Sequence, residues 1–327
     1  MYKFYGFACL LYNGKTLKAV NTVANLFVKG SVGSDIGISR SNNEDNYYLN
    51  GKIAEYEPED QNATAFQSPV TDGVFAVFDG MGGQSRGEFA SLCAAQTLDK
   101  YRSDILRSGV KKVNEYIVYV NRQICNEMKK NNERIGSTAA VLTITDGIAQ
   151  AYNLGDSSIY HLSKNKITKL TRDHTVAEQL YRMNALTEEE ARRDVRKHRL
   201  TKHFGMENED ELKPYVSGNI RIANGDMFLL CTDGITNAVN EKELKKIIYM
   251  FDGRCKKTVN ALIEKAIENG SDDNITAMVL RVVNSTNSST IKRGLMHQLG
   301  LFQFLLGLGV SAVVFAIIIV IILINLN

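Results

Sequence analysis

Residues 74–78 (VFAVF) and 227–231 (MFLLC) are each five apolar residues in a row, and an Asp-Gly pair lies just beyond each run, at Asp79-Gly80 and Asp233-Gly234. Continuous apolar runs this short suit strands covered on both faces, not strands with one wet side. Each run therefore carries a carboxylate to the edge of a packed interior. An unpaired buried charge is very costly, so a cation or a proton must meet each acid there.

The remaining pattern surrounds these two runs with layers. Residues 139–145 and 148–153 flank Asp146-Gly147, a strong hairpin signal, and 275–283 reads as another strand. Val113, Ile117, Val120, Ile124 and Met128 repeat at helical spacing within 110–130; Ala90, Cys93, Ala94, Thr97, Leu98 and Tyr101 make a second such face. Thr187 with Glu190, and Asn240 with Glu243, fit helix N-caps. Helical pairs around a strand-rich middle predict α and β layers with mainly antiparallel pairing. A chain of 327 residues can bury a core of that size. With 39 Lys+Arg against 36 Asp+Glu it carries no field suited to nucleic acid, so no nucleic-acid partner is expected.

Acids recur where strands end or begin. Asp273-Asn274 opens the last strand, Asn43-Glu44-Asp45 occupies a polar turn, and Asp156 follows the run 149–154. Asp146 and Asp252 read as ordinary turns, but Asp79 is followed by Met81-Gly82-Gly83 and a helix, with no return strand. Oxygen donors without a His/Cys cluster point to a hard cation, Mg²⁺ or Mn²⁺, over zinc. The five cysteines are scattered, with no CxxC pair, and read as reduced thiols. Gly14-Lys15-Thr16 lacks the upstream glycine of a phosphate-binding loop, because Cys9 stands in its place.

Seven motifs occur in order: SDIGISRSNNED (34–45), VFAVFDGMGGQSRGEFAS (74–91), GST (136–138), NLGDSSIY (153–160), LTRDHT (170–175), LLCTDGIT (229–236) and GSDDNIT (270–276). Together, over roughly 30–283, they resemble the metal-dependent PP2C (PPM) protein serine/threonine phosphatases, particularly the bacterial form. The resemblance implies an α+β fold, an αββα sandwich of two central antiparallel sheets flanked by helices, with a binuclear metal centre at one edge. It implies that Asp79 bridges two ions, that Asp233 and Asp273 complete one site, and that Glu44 and the Gly80 carbonyl serve the other. Asp45 belongs to the outer shell, Asp156 joins Asp233 at a third ion, and Arg40 grips the substrate phosphate. The substrates implied are phosphorylated proteins, products of a Ser/Thr kinase.

The chemistry suits these residue types. Two divalent ions bring four positive charges, which Glu44, Asp79, Asp233 and Asp273 balance. A water bridging such ions is acidified to hydroxide and attacks phosphorus in line, so the protein need supply no nucleophile. Arg40 offers a planar fork to phosphate oxygens that Lys cannot reproduce. Two positions depart from the family pattern: Met81 and Gln84 stand where histidines are common, which leaves leaving-group protonation to water or to an unassigned group. His174 fits a structural role. His198 falls in a degenerate flap-proximal stretch, and the charged segment 183–203 reads equally as a solvated helix or as a flap meeting phosphoprotein. No cysteine has Arg six residues on, which excludes a Cys-x5-Arg phosphatase. The alternative from another class is a membrane-anchored pseudophosphatase that binds phosphoproteins without turnover, whose expected mark is loss of the metal carboxylates.

Residues 304–324 (FLLGLGVSAVVFAIIIVIILI) carry no charge and no proline, and as a helix reach about 30 Å, the thickness of a bilayer core. The expected organisation is thus an undetermined lead-in 1–29, a phosphatase domain 30–283, a polar and basic linker 284–298, a transmembrane helix 299–324 and a short tail 325–327. Lys292 and Arg293 before the span put the catalytic domain on the cytosolic side of the membrane.

Overall fold

The computed structural model describes residues 26–56, 62–82 and 86–284. The strands are β1 (Leu26–Asp35), β2 (Asn46–Leu49), β3 (Ala63–Val70), β4 (Gly73–Phe78), β5 (Gly80–Met81), β6 (Gly136–Ser137), β7 (Ala139–Thr145), β8 (Ile148–Leu154), β9 (Ser158–Ser163), β10 (Lys166–Lys169), β11 (Tyr215–Val216), β12 (Ile220–Arg221), β13 (Met227–Cys231) and β14 (Ile275–Asn284). The helices are α1 (Gly87–Ser108), α2 (Val110–Asn131), α3 (Val176–Arg182), α4 (Glu188–Arg193), α5 (Asp233–Thr236), α6 (Glu241–Met250) and α7 (Cys255–Glu268).

One sheet has the order β10-β9-β13-β14-β1-β3 and the other β11-β8-β7-β4-β2, with β12 added to β8 and a small β5-β6 pair apart. Every pairing in them is antiparallel. The period-2 alternation of a strand explains how apolar runs serve two cores at once. On β4, Phe75 and Val77 pack between the sheets, while Val74, Ala76 and Phe78 pack under α1 and α2. On β13, Phe228 and Leu230 face the first of these interiors, and Met227, Leu229 and Cys231 face α6 and α7. Both strands are buried along their whole length, as their composition requires. The result is four layers, α/β/β/α.

Local signals hold where they were strong. Asp146 and Gly147 take φ of 51° and 73° in the β7–β8 turn, and both capping boxes form, Thr187 with Glu190 and Asn240 with Glu243. Asp233-Gly234, by contrast, opens α5. Within the stretch 1–29 left undetermined by sequence, β1 begins at Leu26 and pairs there with the end of β14. Its signal is broken by Gly30 and by the register shift against β3 between Val28 and Gly30. Residues 304–324 and Gln84 lie outside the described residues, as does Cys9. Among the described residues, no helix is long and apolar enough to cross a membrane. Cys93, Cys125, Cys231 and Cys255 are free thiols.

Candidate metal centre

The carboxylates gather at one end of the sandwich, around a cavity of about 460 Å³ lined by Arg40, Glu44, Asp79, Asp156, Asp233 and Asp273. Each comes from a different connection: Asp79 just past β4, Asp156 past β8, Asp233 at the first residue of α5, Asp273 just before β14, and Glu44 before β2. Gly80 and Met81 line the same cavity. Gly80 has to lack a side chain, because a Cβ there would run into the carbonyl oxygens of Glu44 and Gly87.

Asp45 is the exception. Its carboxylate turns into the core, where Oδ2 accepts hydrogen bonds from the Thr232 and Thr276 hydroxyls at 2.8 and 2.7 Å. Burial, against those two hydrogen bonds, pushes its pKa up to about 8.

Several groups hold the acids in place, among them His174 in the structural role that its motif suggests. The Thr138 hydroxyl accepts from the Asp79 amide at 3.1 Å, and the Thr138 amide donates back to the Asp79 carbonyl at 2.9 Å. Asn274 staples the loop that carries Glu44: its Oδ1 accepts from the Glu44 amide, and its Nδ2 donates to the carbonyls of Ile36 and Asn42, each at 2.9 Å. The Gly87 amide, one residue into α1, donates to Glu44 Oε1 at 3.1 Å. Gly155, next to Asp156, exchanges two hydrogen bonds with His174, its amide donating to Nδ1 at 3.1 Å and its carbonyl accepting from the His174 amide at 3.0 Å.

The electrostatics are those of crowded, buried acids. Burial, and then the negative charges of Asp233, Asp45, Asp156 and Asp273, drive the Asp79 carboxyl well above the usual carboxylate range. Burial followed by Asp233 does the same to Asp156, and burial followed by Asp273 raises Asp233. Asp233 Oδ1 is buried with no hydrogen-bond partner. Arg40 lines the cavity, bonded by Nη2 to Asp273 Oδ1 at 2.7 Å and by Nε to the Asp272 carbonyl at 3.2 Å, with its side chain 46% exposed. Among the described residues, no three His, Cys, Asp or Glu side chains already stand as a closed metal cage. The donor set is nonetheless all oxygen, crowded and under-compensated, which fits hard divalent cations.

His198 also lines the cavity, its Nδ1 4.0 Å from Asp233 Oδ2. The sequence had placed it only in a degenerate stretch, because nothing in residues 195–198 signals that this turn folds back over the acids. Met81 lines the cavity without offering a proton.

Comparison with known proteins bears on this geometry. The family model for protein phosphatase 2C matches residues 57–269. The serine/threonine phosphatase stp of Listeria monocytogenes is 29% identical over 237 residues, covering 68% of this chain and 89% of that one. Protein phosphatase PhpP of Streptococcus pneumoniae is 29% identical over 256 residues, 76% of this chain and 94% of its own. The crystal structure of PstP/Ppp from Mycobacterium tuberculosis superposes with a TM-score of 0.65 at 24% identity, covering 78% of this chain and 98% of that one. A PstP catalytic domain in complex with two manganese ions gives 0.63 at 24% identity, over 79% of this chain and all of the other. A four-layer sandwich with acids converging at one end, and a family match across most of it, lead to one assignment: this chain belongs to the protein phosphatase 2C family and is a protein serine/threonine phosphatase.

Proposed function

We propose that the chain hydrolyses phosphoserine and phosphothreonine on proteins at a pair of Mn²⁺ or Mg²⁺ ions, tethered on the cytosolic side of a membrane. The observation that carries this reading is the convergence of Glu44, Asp79, Asp156, Asp233 and Asp273, from five separate connections, on one cavity. In it, Asp79 would serve both ions, Asp233 and Asp273 would hold one, and Glu44 with the Gly80 carbonyl would hold the other. Asp156, beside Asp233, is the acid for a third ion. Asp45 acts from behind, as its bonds to Thr232 and Thr276 suit. Bound ions supply an acidified water as the nucleophile and offset charge on the phosphoryl oxygens.

The chain's own groups bind and orient. Arg40 stands at the mouth with a planar fork of donors suited to phosphate, and its present partner Asp273 is itself a proposed ligand. With Asp273 engaged as a ligand, Arg40 would be free to turn its fork toward a substrate phosphate. Thr138 fixes the backbone of Asp79, and Asn274 fixes that of Glu44, so both acids are held before any ion arrives.

The test is phosphate release from a phosphothreonine peptide with Mn²⁺ present and after chelation. Turnover is expected to fall to background in EDTA and to return when Mn²⁺ is restored. Full activity after complete metal removal would sink the metal reading.

A further inference from the structure

The end of the sandwich opposite the acids carries the reverse charge. Across it, Lys29 stands opposite Arg281, Arg281 opposite Met227, and Met227 opposite Leu162. The β9–β10 turn, with Lys164 and Lys166, closes just beyond Leu162 and so projects from this end. Here α7 begins, with Cys255 Sγ 3.9 Å from the Lys29 carbonyl. Here too α6 ends, with the Tyr249 hydroxyl beside the Asn165 backbone. The link between the two helices wraps Arg281, which pairs with Asp252 at 3.4 Å and lies where a Cβ on Gly253 would strike it.

These elements form one corner of the molecule, and its free charge is of one sign. Lys164, Lys166, Lys246, Arg254, Lys256 and Lys257 are exposed, and none has a carboxylate partner among the described residues. The nearby acids are spent: Asp252 on Arg281, and Asp226, only 4% exposed, beside His161 at 3.2 Å. Glu241 and Glu243 lie at the far end of α6, and Glu268 at the far end of α7. The first turn of α7 holds two lysines and no acid, behind Arg254 at its cap, although a helix N-terminus favours negative charge. The corner thus carries a local cost that no described side chain offsets. Met250, 59% exposed, adds an apolar tip beside it.

We infer that this corner docks on an anionic bilayer, its six basic side chains meeting lipid phosphates. Charge complementarity favours such a surface, whose negative potential draws Lys and Arg lying within a Debye length. Position favours lipid over nucleic acid, because the chain passes from Asn284 at this same end toward the apolar run 304–324. The balance of 39 Lys+Arg against 36 Asp+Glu leaves no broad basic field for a nucleic acid. The inference takes from the proposed tether only the end at which the chain leaves, and it adds an orientation, with the domain resting on one corner.

The experiment places the full chain in lipid nanodiscs of phosphatidylcholine alone or mixed with phosphatidylglycerol, and reads acetylation of each lysine by mass spectrometry. Lys164, Lys166, Lys246, Lys256 and Lys257 are expected to react at least about three-fold more slowly in the mixed discs, a difference that high salt removes. Lys242, at the other end of α6, should react alike in both. Lys256→Glu combined with Lys257→Glu should free Lys164 and Lys246 from protection and leave turnover of para-nitrophenyl phosphate unchanged. Equal reactivity in the two kinds of disc would overturn the proposal, as would protection that survives the double reversal. Equal protection of the same lysines by RNA added to phosphatidylcholine discs would overturn the assignment to lipid. If the full chain is not retained by phosphatidylcholine discs, the tether fails on its own. Sedimentation with phosphatidylglycerol vesicles would then still support the corner, and its absence would overturn it.

Discussion

At the scale of single residues, the acids matter less individually than the groups that aim them. Asp79 sits one residue past a fully buried strand, and its backbone is fixed from both sides by Thr138. The same Thr138 hydroxyl lies 2.6 Å from that of Ser157, the neighbour of Asp156, so one small side chain ties two acid-bearing connections together. Thr138→Val keeps the shape and removes the hydroxyl. Changes to groups that orient metal-binding side chains typically cost about 10–100-fold in metal affinity or activity. We therefore expect Thr138→Val to raise the Mn²⁺ concentration needed for half-maximal phosphatase activity by at least about ten-fold, with near-wild-type far-UV circular dichroism. An unchanged Mn²⁺ requirement would show that the Asp79 amide needs no such brace.

At the scale of elements, the connection that carries Asp156 is joined to the segment that carries His198 through His174. Beyond its paired bonds with Gly155, His174 accepts at its carbonyl from the Thr201 amide at 2.8 Å, and the next residue, Thr175, bridges to Leu200. Because the Gly155 amide donates to Nδ1, that nitrogen must be unprotonated. Burial, reinforced by the positive charges of Lys202 and Arg172, lowers the His174 pKa to about 4 from 6.5. The folded form thus binds the proton more weakly than the unfolded chain, so His174 costs no stability above pH 6.5 and progressively more as pH falls toward 4. Thermal melts of wild type should lose stability over that window more steeply than those of His174→Asn, which keeps an acceptor but does not titrate. Parallel pH profiles for the two proteins would remove His174 as the source. The clamp also marks where sequence stops being informative. The strands β4 and β13 are legible because both faces are covered, and α4 and α6 because their caps are local. The β9–β10 hairpin is not, because Lys164 and Asn165 take positive φ without a glycine to announce the turn. The acids are legible from their places at strand ends. Their supports are not, since Asn274 reaches Glu44 across 230 residues of chain and Thr138 reaches Asp79 across 59.

At the scale of the whole molecule, the neighbouring strands β1 and β14 fix where the catalytic end lies relative to the chain's later residues. They pair along their full length, from Leu26 opposite Asn284 to Asp35 opposite Ile275. Asp273 lies two residues before Ile275, so the acids stand at one end of this pair and Asn284 at the other. Ten residues of strand place those ends about 30 Å apart. The tether we propose, through the linker 284–298 to the apolar run 304–324, would therefore leave from the end opposite the catalytic cavity. At random-coil dimensions the fifteen residues 284–298 would span roughly 20 Å, so the cavity would open away from the bilayer toward phosphoproteins in the cytosol. Ending the chain at Asn284 removes no strand pairing among the described residues, because the last described ladder position of β14 is Asn284 itself. That shortened protein should stay in the supernatant after ultracentrifugation and release phosphate from peptides at the rate of the full chain, whereas the full chain should sediment with membranes and resist carbonate extraction. Ending it at Leu280 would strip the ladder positions from Arg281 to Asn284, and it should melt at a clearly lower temperature. A full chain that remains soluble without detergent would refute the tether while leaving the catalytic reading intact. Protease added to intact cells should spare the catalytic domain, and its digestion there would reverse the proposed orientation.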